Sequence, residues 1–136
     1  MLLDEFSELT ESVLAAAFEV SNTLGCGFLE KIYERALLEE LTLRGIKAVP
    51  QSRFPVHYKT RRIGEYTADF LIENTLIVEL KCIESLAPAH TAQCLNYLRA
   101  SNKPICLLIN FHNSKLEWRR LKPRELSPSS PSSVAL

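Results

Sequence analysis

The apolar positions of this chain change period twice. Between Leu2 and Leu24 they recur as Leu9, Val13, Ala16 or Ala17, Val20 and Leu24, which draws one stripe down a helix. The "LGCG" that follows stops it, because glycine suits the left-handed position beyond a helix end. A second helix is expected from Leu29 to Arg44, with Tyr33, Ala36, Leu37 and Leu41 on one face and Gly45 as its terminator.

After Gly45 the period shortens toward 2. The stretch from Ile46 to Cys82 is rich in β-branched and aromatic residues and is broken by Pro50, Pro55, "KTRR" and "EN". It predicts strands at 46–49, 53–59, 63–72 and 76–82 in antiparallel succession. Helical spacing returns from Pro88 to Ala100, opened by a proline suited to a first turn. "KPICLLINF" is near-continuously apolar, the pattern of a strand covered on both faces, and "KLEWRRL" reads as a last edge strand. The expected order is ααββββαββ, an α/β (α+β) domain with a central sheet flanked by helices. One domain is expected over residues 1–126, followed by a Ser/Pro-rich, disordered tail at 127–136.

Charges interrupt two of the apolar strands. Alternation along "LIVELKC" puts Glu79 and Lys81 side by side on one face, with Leu76, Val78, Leu80 and Cys82 on the other. On the preceding strand the same rule groups Thr67, Asp69 and Leu71, with Ala68, Phe70 and Ile72 behind. A two-residue loop would set Asp69 opposite Val78. A three-residue loop, Glu73 to Thr75, pairs Ile72 with Leu76 and sets Asp69 opposite Glu79, and this is the register expected. Opposed carboxylates about 5 Å apart repel unless a cation lies between them, and an all-oxygen ligand set selects magnesium or manganese. Lys81 beside them can orient water or stabilise charge on a phosphate, the needs of phosphodiester hydrolysis. The plainer alternative is a structural ion pair between Lys81 and Glu79 or Asp69.

Two helices add polar candidates. Gln93 and Tyr97 stand four apart on one helical face, where the glutamine can reach water or a scissile phosphate and the tyrosine can contact substrate backbone. In "GFLEKIY", Glu30 and Tyr33 share the inward face of the second helix. Glu30 either caps backbone or points at the same metal as Asp69 and Glu79, the second being preferred, and Tyr33 is assigned to substrate contact.

Composition narrows the rest. Net charge is zero, so attraction to nucleic acid must be local. Basic residues cluster in "HYKTRR" and "EWRRLKPR", which are either solvated edges or such local patches. Four scattered cysteines without a CxxC argue against zinc and suit a reducing compartment, and His90 with Cys94 is a weak metal pair. Acidic residues near the N-terminus and no membrane-length apolar run lead to an expected cytoplasmic location without membrane association.

"GFLEKIY", "YTADFLIENTLIVELK", "AHTAQCLNYL" and "CLLINF", in that order, resemble the GxxExxY proteins, a group within the PD-(D/E)XK nuclease-like superfamily. The resemblance spans Thr10 to Leu121. It implies a restriction-endonuclease-like core with a mixed sheet, Asp69 as the first acid, Glu79 and Lys81 as the (D/E)xK pair, and Mg²⁺ (or Mn²⁺) as cofactor. Gln93 and Tyr97 are similar to the QxxxY element of RecB-like branches, and Glu30 matches a helix residue that approaches the metal there. Ala68 stands where the superfamily's name has proline. The implied function is a metal-dependent nuclease acting on nucleic acid, DNA being expected, with a homodimer as an expected assembly. The alternative is a catalytically inactive nuclease-fold module that binds nucleic acid or protein.

Overall fold

The computed structural model describes residues 4–123. Helices α1 (Ser7–Leu24) and α2 (Glu30–Leu43) precede β1 (Ala48–Tyr58), β2 (Arg61–Ile72) and β3 (Leu76–Lys81); α3 (Pro88–Ser101), β4 (Ile105–Asn110) and β5 (Glu117–Leu121) follow. The strands form one mixed sheet in the order β1-β2-β3-β4-β5. Only β3 and β4 run parallel, joined by the crossover through α3. This is the expected α+β architecture of a sheet between helices. The expected tail at 127–136 and the domain's end at 126 lie outside the described residues.

The strand count differs from expectation. The segments 46–49 and 53–59 are one strand, β1, so the order is ααβββαββ. Pro50 and Pro55 do not break it because β1 lies at the sheet's edge, where a missing N–H costs no ladder bond.

Each face of the sheet has its own core. On one, Val13, Ala17 and Val20 of α1 and Tyr33, Leu37 and Leu41 of α2 pack on Phe70, Ile72, Val78, Leu80, Leu107 and Ile109. On the other, Cys94 and Leu98 of α3 cover Ala68, Ile77, Cys106 and Leu108. The central strands are buried on both sides, hence the unbroken apolar run of "ICLLIN".

The loop between β2 and β3 has the expected three residues, and Ile72 pairs with Leu76. The ladder continues through Leu71↔Ile77 to Phe70↔Val78 and ends there. One face assignment needs correction. Ala68 belongs to the α3 side, while Phe70 and Ile72 belong to the α1–α2 side. Strict alternation therefore fails at Asp69. In β1, Ser52 pairs with Ala68 and Pro50 with Phe70, while Gln51, opposite Asp69, has a left-handed φ of 52°. The twist of that one residue resets the faces of the strand pair without shifting its register.

Candidate active site

Asp69 stands at a fork. Beyond the Phe70↔Val78 pair the two strands part, which frees the Leu80 N–H, and that amide donates to Asp69 Oδ2 at 2.7 Å. A side chain thus takes the place of the next ladder partner and fixes the carboxylate in the cleft between β2 and β3.

From β3, Glu79 and Lys81 project toward the α3 side, Glu79 being level with Leu108 of β4. Glu79 is buried, 7% exposed, and its Oε1 finds no hydrogen-bond partner. Burial first, then the neighbouring Asp69 carboxylate and Cys94, push its pKa up to about 9 against the pull of Lys81. Asp69 is likewise raised, chiefly by burial and by Glu34, while the Leu80 amide, Lys81 and Lys31 oppose the shift. Among the described residues Lys81 enters no ion pair, so the structural-pair alternative is not formed.

The start of α2 closes the fork from the other face. Glu30 lies in its first turn, where the helix dipole favours a negative charge. Its pKa is raised by burial of the carboxyl and then by Asp69, which places it in the same electrostatic group. A cleft of about 420 Å³, lined by Phe28, Glu30, Cys82 and His112 among others, opens this side to solvent.

Glu34, one turn further along α2, escaped the sequence reading. It is buried, accepts from Gln51 Nε2 at 2.5 Å and from Lys31 Nζ at 3.3 Å, and acts on both Asp69 and Glu30. Its place between Tyr33 and Leu37 on the buried stripe was the available signal. Asn110 is a second omission. Its Oδ1 accepts from the Ile83 N–H (3.0 Å) and its Nδ2 donates to the Ile83 carbonyl (2.8 Å), fastening the chain just beyond Lys81 to β4.

The Tyr33 side chain is engaged within the protein. It is fully buried, stacks on Phe111 with ring centroids 4.9 Å apart, and its hydroxyl donates to the Gly25 carbonyl (2.6 Å) and accepts from the Phe28 N–H (3.3 Å). Both sides of the hydroxyl are occupied by the glycine turn, in which Gly25 and Gly27 have φ of 73° and 107°. Tyr33 ties down the loop that delivers Glu30.

On α3, Gln93 is exposed and its side chain approaches the Tyr97 hydroxyl. Tyr97 is half-buried, senses the charges of Glu79 and Asp69, and caps a stack of three rings, at 4.0 Å from Tyr66, which lies 5.3 Å from Phe54. His90 does not join Cys94 as a ligand, because its Nδ1 accepts the Ala87 N–H at 2.9 Å and caps α3.

The fork has the E-x-K of Glu79-Leu80-Lys81 on one strand and the acid of Asp69 on its neighbour. The family model of the PD-(D/E)XK nuclease superfamily matches residues 7–121. The chain belongs to that superfamily. No curated protein matches it. Among solved structures, it is similar in fold to SSO0001, with a TM-score of 0.56 at 17% identity, covering 88% of this chain and 60% of that one. It is also similar to an alkaline exonuclease, LHK-Exo, from Laribacter hongkongensis (TM-score 0.54, 11% identity, 91% of this chain and 73% of that one). The same exonuclease in complex with dAMP gives 0.50 at 11% identity over 93% and 85%. The PD-(D/E)XK chain thus spans 60% of the length of SSO0001, and at these identities the likeness is one of fold.

Among the described residues no three His, Cys, Asp or Glu side chains close into a ready metal cage. The donor chemistry nevertheless fits a divalent cation. A buried carboxyl oxygen of Glu79 has no partner, the Asp69 carboxylate is near enough to shift its titration, and both groups are acceptor-only when ionised. A bound cation would offset the repulsion of the ionised pair, which without one is relieved by keeping Glu79 protonated. Among the described residues no helix is long and apolar enough to cross a membrane.

Proposed function

We propose that this protein is a divalent-metal-dependent nuclease that hydrolyses phosphodiester bonds of DNA. The observation that carries the reading is the unpartnered Glu79 Oε1 in a fork shared with Asp69 and Lys81. Asp69 and Glu79 would hold Mg²⁺ or Mn²⁺, with Glu30 assisting from α2. The cation, when bound, supplies Lewis acidity toward water and the phosphate.

The chain's own groups do the rest. Asp69 is held through Oδ2 by the Leu80 amide, and its other oxygen would be the one left for a cation. With its pKa pushed up to about 9, Glu79 holds its proton at neutral pH, and its use as a metal ligand would require that proton to leave. The Lys81 ammonium, free of an ion pair, is available to a phosphate oxygen or to the attacking water. Gln93 and Tyr97, on α3, would hold the substrate backbone, a role supported by their proximity to one another and by the influence of Glu79 and Asp69 on Tyr97.

The test is cleavage of single-stranded, double-stranded and flap DNA and of RNA, with Mg²⁺, Mn²⁺ or EDTA. Cleavage of DNA is expected only with metal, and Glu79→Ala or Lys81→Ala should lower it at least ~100-fold. Thermal melting is the companion measurement. Mn²⁺ at a hundred times its Kd should stabilise the protein by ~2.7 kcal/mol, and Asp69→Ala should abolish that gain. No cleavage by the wild type, or equal cleavage by the variants, overturns the reading in favour of a binding module.

A further inference from the structure

The two basic clusters of the sequence meet different fates. In "EWRRLKPR", Arg120 and Lys122 both bind the Asp4 carboxylate, and Arg119 pairs with Glu117 at 3.5 Å. Of its described residues, Arg120 and Lys122 are taken up in tying β5 to the chain just before α1, and Arg119 is left exposed in a weak pair within its own strand.

The other lies on an arm. β2 has β3 beside it only from Phe70 to Ile72, so from Arg61 to Asp69 its sole strand partner is β1. The two strands leave the sheet as a ribbon whose base rests on Tyr97 through the stacked Tyr66 and Phe54. Beyond that base nearly every residue is exposed, among them Tyr58 at 62% and Ile63 at 65%. Arg53, Lys59, Arg61 and Arg62 are opposed by Glu65 alone, a formal charge of +3 in a chain whose total is zero. The neutral total conceals this arm.

The cations occupy both faces of the ribbon. Pairing and alternation put Arg53, Glu65, His57 and Arg62 on one face, and Tyr58 with Arg61 on the other. Glu65 contacts Arg62 (2.6 Å) and Arg53 (3.9 Å), as that assignment requires. These ion pairs are solvent-exposed and hold their arginines weakly. A ribbon lying flat on one phosphate backbone would need cations on one face only. Cations on both suit a ribbon between two backbones, and a duplex major groove admits a two-stranded ribbon.

We propose that the β1–β2 ribbon enters a groove of duplex DNA, its two faces reaching the phosphates of the two strands. The inference rests on the nuclease reading for the substrate class. The ribbon parts from β3 at Asp69, beside the proposed site of cleavage, and its exposed part beyond Tyr66 reaches outward for roughly 17 Å, or about five base pairs.

The test is binding of a fluorescent 25-base-pair duplex by the full chain in EDTA, titrated with salt, for the wild type and for R53A/K59N/R61A/R62A. Asparagine is used at Lys59 because that residue has a left-handed φ of 58°. The variant should bind roughly tenfold or more weakly, with a log–log salt slope smaller by about three. K115A/R119A, on the other side of the sheet, should retain wild-type affinity. An unchanged Mn²⁺ shift in melting shows that the arm variant keeps its fold and its fork. Equal affinity and slope in variant and wild type, no duplex binding by the wild type, or loss of self-association instead of DNA binding would each overturn the proposal. Lost duplex binding by the arm variant with no cleavage by the wild type upholds the arm and removes the nuclease reading.

Discussion

The pairing of β2 with β3 has two halves that obey opposite rules. From Phe70↔Val78 to Ile72↔Leu76 the ladder is regular and its side chains are almost completely buried in apolar contact. One step further, at Asp69 and Glu79, the ladder opens, charges enter and a carboxylate oxygen goes without a partner. The first half holds the strands together so that the second can hold two acidic groups close. Stability is concentrated in one and withheld from the other, as expected where a fold keeps a destabilised constellation for chemistry.

Substitutions on either side of the boundary should therefore differ in sign. Phe70→Ala, inside the ladder, should cost ~3–5 kcal/mol in urea unfolding by cavity formation. Glu79→Gln, in the fork, should raise the stability of the metal-free protein by about 1–3 kcal/mol at pH 7, because it removes a buried acid that ionises only in the unfolded chain. If both destabilise, the two halves are one core and the comparison fails.

The pH dependence sharpens the same contrast. Glu79, Asp69 and Glu30 all have raised pKa values, so the folded protein holds more protons than the unfolded chain above the ordinary glutamate value of 4.5. The stability they contribute is full below that pH and is lost as pH rises toward about 9, the folded value of Glu79. Melting in EDTA should show a falling midpoint between pH 5 and 9. Glu79→Gln should flatten the fall, and Phe70→Ala should shift the curve down without changing its slope.

The smallest effect is expected at Tyr33. Tyr33→Phe leaves the Gly25 carbonyl and the Phe28 N–H without their partner, for a loss of about 1–2 kcal/mol. KM for DNA should stay unchanged. A raised KM at unchanged stability would return this residue to the substrate.

The ladder half was legible in the sequence because apolar alternation and loop length both constrain it, and they agreed. The fork was legible in part. Asp69, Glu79 and Lys81 stand out as charges in apolar runs, but the alternation applied to β2 assumed an even pleat, which fails at Asp69, opposite a Gln51 of β1 whose identity does not announce a left-handed φ. Glu34 was passed over because a glutamate between Lys31 and Arg35 resembles a solvated charge, although its place between Tyr33 and Leu37 put it on the buried stripe. The internal hydrogen bonds of Tyr33 were not legible because helical spacing gives the face of a residue and not the direction of its hydroxyl. The two strands expected before residue 60 are one because an edge position, which only the sheet order reveals, tolerates Pro50.

The loop of Glu73, Asn74 and Thr75 is short and largely exposed, with Glu73 and Asn74 both in the left-handed region. Surface loops of this kind ordinarily accept insertions and deletions freely. Here a change of one residue would slide β3 by one place and turn Glu79 and Lys81 to the face now occupied by Val78 and Leu80. Among related chains, the length of this hairpin should therefore vary less than its amino acids do, a constraint on spacing in a place where spacing is usually free.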